Sequence, residues 1–122
     1  MIRLYDTRKR DKVDFEPLEE GKVGIYVCGP TVYDDAHVGH ARCYVAFDTI
    51  VRTLREAGYE TTYVRNITDI DDKIINRANE NGEDPIALSA RFTEAFHRDM
   101  KALGNAEPDI EPKVSDHLEQ IV

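Results

Sequence analysis

The residues of this chain best suited to chemistry fall in one run, YVCGPTVYDDAHVGHAR, from Tyr26 to Arg42. Cys28 ends an apolar, β-prone stretch, and Gly29 and Pro30 turn the chain after it. His37, Gly39 and His40 then stand where a helix begins. A cysteine thiolate is a soft metal ligand. A helix N-terminus offers unpaired N–H groups to an anion, and a glycine there lets a phosphate or a flat base approach the backbone. Two histidines beside it can donate hydrogen bonds to phosphate oxygens as charge builds during a transfer. The run therefore suits a site for metal and phosphate. Each part also has a plainer reading. His-x-Gly-His alone recurs by chance, and one histidine capping the helix while the other packs accounts for it. A lone cysteine on an apolar strand is commonly an inert core residue, and that is the preferred reading of Cys43.

A second polar cluster, Asn66-Ile67-Thr68-Asp69-Ile70-Asp71-Asp72-Lys73, follows another β-prone stretch. Asn66 and Thr68 are the better candidates for ligand contact. The aspartates invite a magnesium site, but helix capping is the preferred reading of Asp71 and Asp72. His97 and His117 read as helix-surface residues, and Arg8-Lys9-Arg10 with Lys12 as a solvated turn.

The elements that must position these groups can be read from periodicity. Ile2 and Leu4 alternate with polar residues as a short strand, and residues 8–22 read as a loop or irregular arm. Residues 23–28 (VGIYVC) read as a buried strand. A helix should begin near Val38 or Gly39, with Tyr44, Phe47, Val51 and Leu54 on its buried stripe, Val45 and Ile50 widening it, and Gly58 at its end. Residues 61–64 (TTYV) form the next strand. Strand, helix and strand with short joins predict a parallel, right-handed crossover. A further helix should start at residues 69–72 and run to about Asn79, ending near Gly82. Asp84 and Pro85 start a long helix whose stripe is Phe92, Phe96, Met100 and Leu103, closed by Gly104. Residues 105–112 read as a connection. Ser115 is placed to cap a last helix, which the chain end at Val122 cuts after about two turns. The order fits an open α/β sheet of the dinucleotide-fold type, whose ligands bind beyond the carboxyl ends of the strands. Cys28, Asn66 and Thr68 all lie at that edge.

Composition sets the outer limits. One domain fits 122 residues, with 33% charged and 41% hydrophobic, and no apolar stretch is long enough to span a bilayer. The N-terminus lacks the apolar core of a secretory signal, so a cytoplasmic location is the expectation. Sixteen basic against twenty-four acidic residues, a net charge of -8, argue against nonspecific nucleic-acid binding by the whole surface. Two cysteines make neither a disulfide framework nor a compact zinc motif.

Taken together, these segments resemble the N-terminal part of the cysteinyl-tRNA synthetases, a family of class I aminoacyl-tRNA synthetases. The residues that carry the likeness are YVCGPTVYDDAHVGHAR from Tyr26, VAFDTIVRTLREAGY from Val45, YVRNITDIDDKIINRANENG from Tyr63, and the final EPDIEPKVSDHLEQIV. The resemblance implies the N-terminal half of a Rossmann-like catalytic domain, with a parallel sheet, flanking helices and residues 1–122 as a truncated part of it. It implies a ligase that joins cysteine to ATP, taken with Mg2+, as cysteinyl-adenylate and then esterifies tRNA(Cys). The family signature His-Ile-Gly-His binds ATP and stabilises the transition state. It assigns His37, Gly39 and His40 to ATP, His37 and His40 as catalytic, with Val38 in place of the isoleucine. Cys28 matches a zinc ligand, in a site where zinc binds the substrate thiolate and so selects sulfur over serine's hydroxyl. Gly29, Thr31 and Thr68 match positions lining the amino-acid pocket. The family's remaining zinc ligands, its Lys-Met-Ser-Lys-Ser-type loop and its tRNA-reading helical domains are absent, and Lys73 does not replace that loop. The expectation is a zinc site incomplete here, tRNA contacts mostly outside this chain, and no activity by the chain alone.

Two other readings belong beside this one. Cysteine ligases with an amino-sugar acceptor carry Thr-Pro-Tyr-Asp where this chain has Thr31-Val32-Tyr33-Asp34, and Asp-Asp-Pro where it has Asp71-Asp72-Lys73. Both differences favour the tRNA enzyme. The other reading is a non-enzymatic half-domain that binds a nucleotide or a partner chain. Its unfinished sheet edge and uncovered apolar face would favour self-association of the isolated chain.

Overall fold

The computed structural model describes residues 2–122. Its centre is a parallel pair of strands, β3 (Lys22–Val27) and β4 (Glu60–Arg65), joined through helix α1 (Val38–Glu56). Before them, β1 (Arg3–Asp6) and β2 (Asp11–Asp14) form an antiparallel hairpin. After them come α2 (Asp72–Asn81), α3 (Pro85–Ala102), a short 3-10 turn at Ser115–His117 and α4 (Leu118–Ile121). The expected strand–helix–strand unit and its parallel pairing are present, in register from Lys22↔Glu60 to Val27↔Arg65.

β2 falls where the sequence reads as an irregular arm. Its residues, DKVD, carry a single apolar side chain and so give no alternating signal. The hairpin is made instead by its turn. The Asp6 carboxylate accepts from the N–H groups of Arg8 (2.7 Å) and Lys9 (3.1 Å), and Arg10 takes the left-handed conformation at φ 55°. The basic run is thus a solvated turn, as expected.

β3 is buried on one face only. Val23 and Val27 are buried, whereas Tyr26 on the other face is 61% exposed, which corrects the reading of a fully buried strand. α1 lays Tyr44, Val51 and Leu54 toward the core, with Phe47 packed at its margin. The core joins these to Tyr63 of β4, Ile67, Ile74 and Ala78 of α2, and Leu88, Phe96 and Met100 of α3. Leu103, expected to extend the α3 stripe, is 47% exposed beyond the helix end. The caps fall where the sequence places them: Asp84 accepts from Ala87 N–H at 2.9 Å, with Pro85 opening α3, and Gly82 ends α2 in the left-handed region.

The connection after α3 is more than a connection. Residues 109–114 run beside β4 in extended form, with parallel bridges Val64↔Ile110 and Ile67↔Lys113. Arg65 N–H donates to Ile110 O (3.1 Å) and Ile67 N–H to Pro112 O (2.9 Å). The prolines conceal this, since a proline has no N–H to give a ladder, but Pro112 needs only its carbonyl here.

Candidate functional site

Beyond the last β3–β4 pair, the chain stays zipped without regular strand structure. Thr68 N–H donates to Pro30 O (3.0 Å) and Val32 N–H to Thr68 O (3.2 Å), giving a parallel bridge Thr31↔Thr68. Gly29 N–H donates to the Asn66 side-chain oxygen at 2.7 Å. A Cβ on Gly29 would lie 1.4 Å from the Asn66 carbonyl oxygen, so only glycine permits this approach. Cys28, Gly29, Thr31 and Thr68 are therefore brought together at the carboxyl edge of the sheet. Asn66, expected as a ligand contact, spends its amide oxygen inside the protein. Tyr44, which sequence reasoning places only in the core, donates its hydroxyl to the Cys28 carbonyl at 3.2 Å.

The following loop is tied to α2. Asp34 meets Arg77 at 2.9 Å, and the Tyr33 ring lies beneath both Lys73 (5.7 Å) and Arg77 (6.0 Å). This fixes the entry to α1. There His37 is the N-cap: its Nδ1 accepts from Gly39 N–H at 3.0 Å, while His37 N–H donates to His40 Nδ1 at 3.2 Å. The result is a capping box built from two imidazoles, whose rings lie 4.0 Å apart. A Cβ at Gly39 would lie 2.8 Å from the His37 ring, so the ring holds this pose beside a glycine and would have to turn for a larger residue. The N–H groups of His40 and Ala41 both donate to His37 O. The backbone donors expected to await an anion at this helix end are thus largely engaged. What the site offers instead is the imidazole edge. With each Nδ1 accepting, the proton of each neutral ring sits on Nε2, a donor turned away from the cap. Partial burial, and secondarily His37, holds His40 below the ordinary imidazole range and keeps it neutral.

The metal expectations fare unevenly. Cys28 is exposed with a free thiol. Cys43, read as an inert core residue, is exposed as well, because it projects from the open side of α1. Among the described residues no three His, Cys, Asp or Glu side chains gather to hold a metal ion. One thiolate does not fit a zinc site, which takes three or four protein ligands. The aspartates are capping or tethering groups: Asp71 accepts from Lys73 N–H at 2.8 Å, and Asp69 accepts from Ser115 N–H at 3.0 Å. Ser115 therefore serves Asp69 rather than capping a helix.

Behind the site lies a buried cluster that local sequence pattern does not reveal. Arg65 is 3% exposed, pairs with Glu111 at 2.6 Å, and lies over the rings of Tyr44 (5.5 Å) and Phe96 (4.9 Å). Glu111 also meets His97 Nε2 at 2.5 Å, so His97 is a paired surface residue. The available signal was an arginine at a β4 position whose alternation demands burial.

A family model described as tRNA synthetases class I (C) catalytic domain matches residues 14–122. The chain belongs to this family. The matched stretch holds every residue of the strand-exit and helix-cap geometry, and the parallel β3–β4 pair with its flanking helices agrees with such a catalytic domain. Similar to it are Cysteine--tRNA ligase of Anaeromyxobacter sp. (strain K), 61% identical over 121 residues, 99% of this chain and 25% of that protein. The Pseudoalteromonas translucida (strain TAC 125) enzyme of the same name is 53% identical over 122 residues, 100% of this chain and 27% of that protein. The chloroplastic/mitochondrial Cysteine--tRNA ligase of Arabidopsis thaliana is 57% identical over 119 residues, 98% of this chain and 21% of that protein. The chain spans about a quarter of the length of the curated relatives it matches. No described helix of this class I synthetase domain is long and apolar enough to cross a membrane.

Proposed function

We propose that this chain is part of the nucleotide-binding catalytic domain of a cysteine–tRNA ligase. The reaction assigned to it joins cysteine to ATP as cysteinyl-adenylate, with Mg2+ accompanying the nucleotide, and transfers cysteine to tRNA(Cys). The observation that carries this reading is the two-imidazole capping box beside the zipped Cys28–Thr31 and Thr68 edge, in a chain 61% identical to a relative of that name. In the first step a carboxylate oxygen of cysteine attacks the α-phosphorus and pyrophosphate leaves. His37 and His40 each direct an Nε2–H at the phosphate oxygens, where charge increases in the transition state. Their Nδ1 atoms are held by the backbone, so neither ring must reorient when charge develops. Gly39 keeps the His37 ring in that pose. Gly29, Thr31 and Thr68 line the amino-acid subsite, with two threonine hydroxyls and no charged side chain between them. Cys28 would supply one thiolate to a zinc site completed by residues beyond this chain. The described residues do not complete that site. Those ligands, the phosphate-clamping loop and the tRNA contacts are assigned to the further length that the relatives possess. The cytoplasm is the proposed location.

The test is cysteine-dependent ATP–pyrophosphate exchange by the protein carrying these residues. His37→Ala and His40→Ala are each expected to lower the exchange rate by about 10²–10³-fold. The 122-residue chain alone is expected to give none. Exchange that persists in both variants would remove the imidazoles from the reaction, and exchange by the chain alone would overturn the assignment of missing groups.

A further inference from the structure

We propose that Tyr44 and Asn66 are positioning residues that clamp the Cys28–Gly29 peptide unit, and so set the direction in which Cys28 and Gly29 face the amino acid. The proposal rests on the reading of this turn as the amino-acid subsite. A peptide unit is a rigid plane, and its C=O and N–H point in opposite directions from it. Here the C=O of Cys28 accepts from the Tyr44 hydroxyl at 3.2 Å, and the N–H of Gly29 donates to Asn66 Oδ1 at 2.7 Å. Both ends of one plane are thus held by side chains, from α1 on one side and from the β4 exit on the other. The regular ladder ends one pair earlier, at Val27↔Arg65. This is the first peptide without ladder partners, and a glycine on its far side makes a flip of the plane inexpensive. A flip would exchange the positions of the C=O and the N–H and turn the adjoining residues away from their neighbours.

Neither clamp is free to move. Tyr44 is 4% exposed, edge-on to Phe96 at 5.2 Å and beneath the Arg65 guanidinium, which Glu111 holds in turn. Burial pushes its hydroxyl well above the ordinary phenol range, so it stays a donor. Asn66 places its amide nitrogen 3.4 Å from Thr68 Oγ1 while its own carbonyl abuts Gly29. One side chain thereby links Gly29 to Thr68, on opposite walls of the subsite.

The experiment combines two readouts. In the 15N-labelled 122-residue chain, Asn66→Ala is expected to speed amide hydrogen exchange at Gly29 by about tenfold, leaving the β3–β4 ladder amides unchanged, and Asn66→Asp to restore protection. In the protein carrying these residues, Asn66→Ala and Tyr44→Phe are expected to raise KM for cysteine severalfold in pyrophosphate exchange with KM for ATP unchanged. Tyr44→Phe keeps the buried ring, so folding is preserved. Unaltered Gly29 exchange in Asn66→Ala, or acceleration spread evenly over β3 and β4, would overturn the clamp. A clamp seen at Gly29 with KM for ATP rising in place of KM for cysteine would overturn the positioning role. Absence of cysteine-dependent exchange in the unmutated protein would remove the amino-acid-site reading, and that outcome is distinct because Gly29 exchange is measured without substrate.

Discussion

Two glycines of the site are constrained by neighbours of different kinds, and substitution should tell them apart. A Cβ at Gly29 meets a backbone carbonyl at 1.4 Å, which cannot yield without parting the zipped segments. Gly29→Ala is expected to destabilise by about 1–3 kcal/mol, read as a lowered denaturation midpoint. A Cβ at Gly39 meets the His37 ring at 2.8 Å, a side chain that can rotate away. Gly39→Ala is expected to change stability by less than about 1 kcal/mol, since alanine also favours the helix, while displacing the ring proposed to meet the phosphate. Similar midpoints for the two variants would contradict this contrast. His40 supplies a pH test. Its folded value lies below the ordinary 6.5 of the unfolded chain. As pH falls through that value, the unfolded chain takes up a proton that the folded chain resists, so stability present at neutral pH declines on acidification. His40→Gln keeps an acceptor for the cap and does not titrate. Thermal denaturation between about pH 7.5 and 5.5 should show a smaller loss for that variant. An equal loss would place the dependence on other groups. The sequence placed His37 and His40 correctly at the helix start, because glycine and β-prone residues punctuate the run. It could not show that Gly39 N–H is taken by the His37 ring, which depends on a ring rotamer.

At the scale of elements, legibility followed signal strength. α1, α2 and α3 carry caps and apolar stripes: α1 starts at Val38, within the expected Val38 or Gly39, α2 at Asp72, the last of the expected 69–72, and α3 at Pro85 after Asp84. β2 and residues 109–114 hold to their places by turn chemistry and long-range hydrogen bonds, which local pattern does not encode. The Arg65–Glu111 pair is the buried ion pair between that last segment and β4, beside the Asp109 carboxylate that accepts from Tyr63 N–H, and it packs against α1 and α3 through the Tyr44 and Phe96 rings. Removing Glu111 would leave a buried guanidinium without its counter-charge. Glu111→Ala is therefore expected to cost about 3 kcal/mol, whereas Arg65→Met with Glu111→Leu should cost less than Glu111→Ala alone. Denaturant midpoints measure both. A double variant as weak as or weaker than the single would mean that the pair stabilises beyond the cost of its desolvation.

For the whole molecule, the governing fact is that the sheet has one covered face. Tyr26, Val64 and Ile110 are neighbours in register and form a row across the other face, where Tyr26 is 61% and Ile110 54% exposed. Among the described residues β3 also has no strand along its outer edge. The relatives are about four times as long as this chain, so further sequence is available in them to cover such a face. When the 122-residue chain is prepared alone, a second copy is the surface at hand, and we expect self-association. Sedimentation velocity should show mass rising above 13.9 kDa with concentration, and Tyr26→Lys should return it toward monomer with the helical signal intact. Salt discriminates the cause. The chain carries a net charge of -8, so two copies repel, and screening should strengthen an association driven by the apolar row. An association that weakens with salt would have to be built on ion pairs instead, and would direct attention to the charged hairpin. A chain that remains monomeric at every concentration and salt would mean that this face is stable in water by itself.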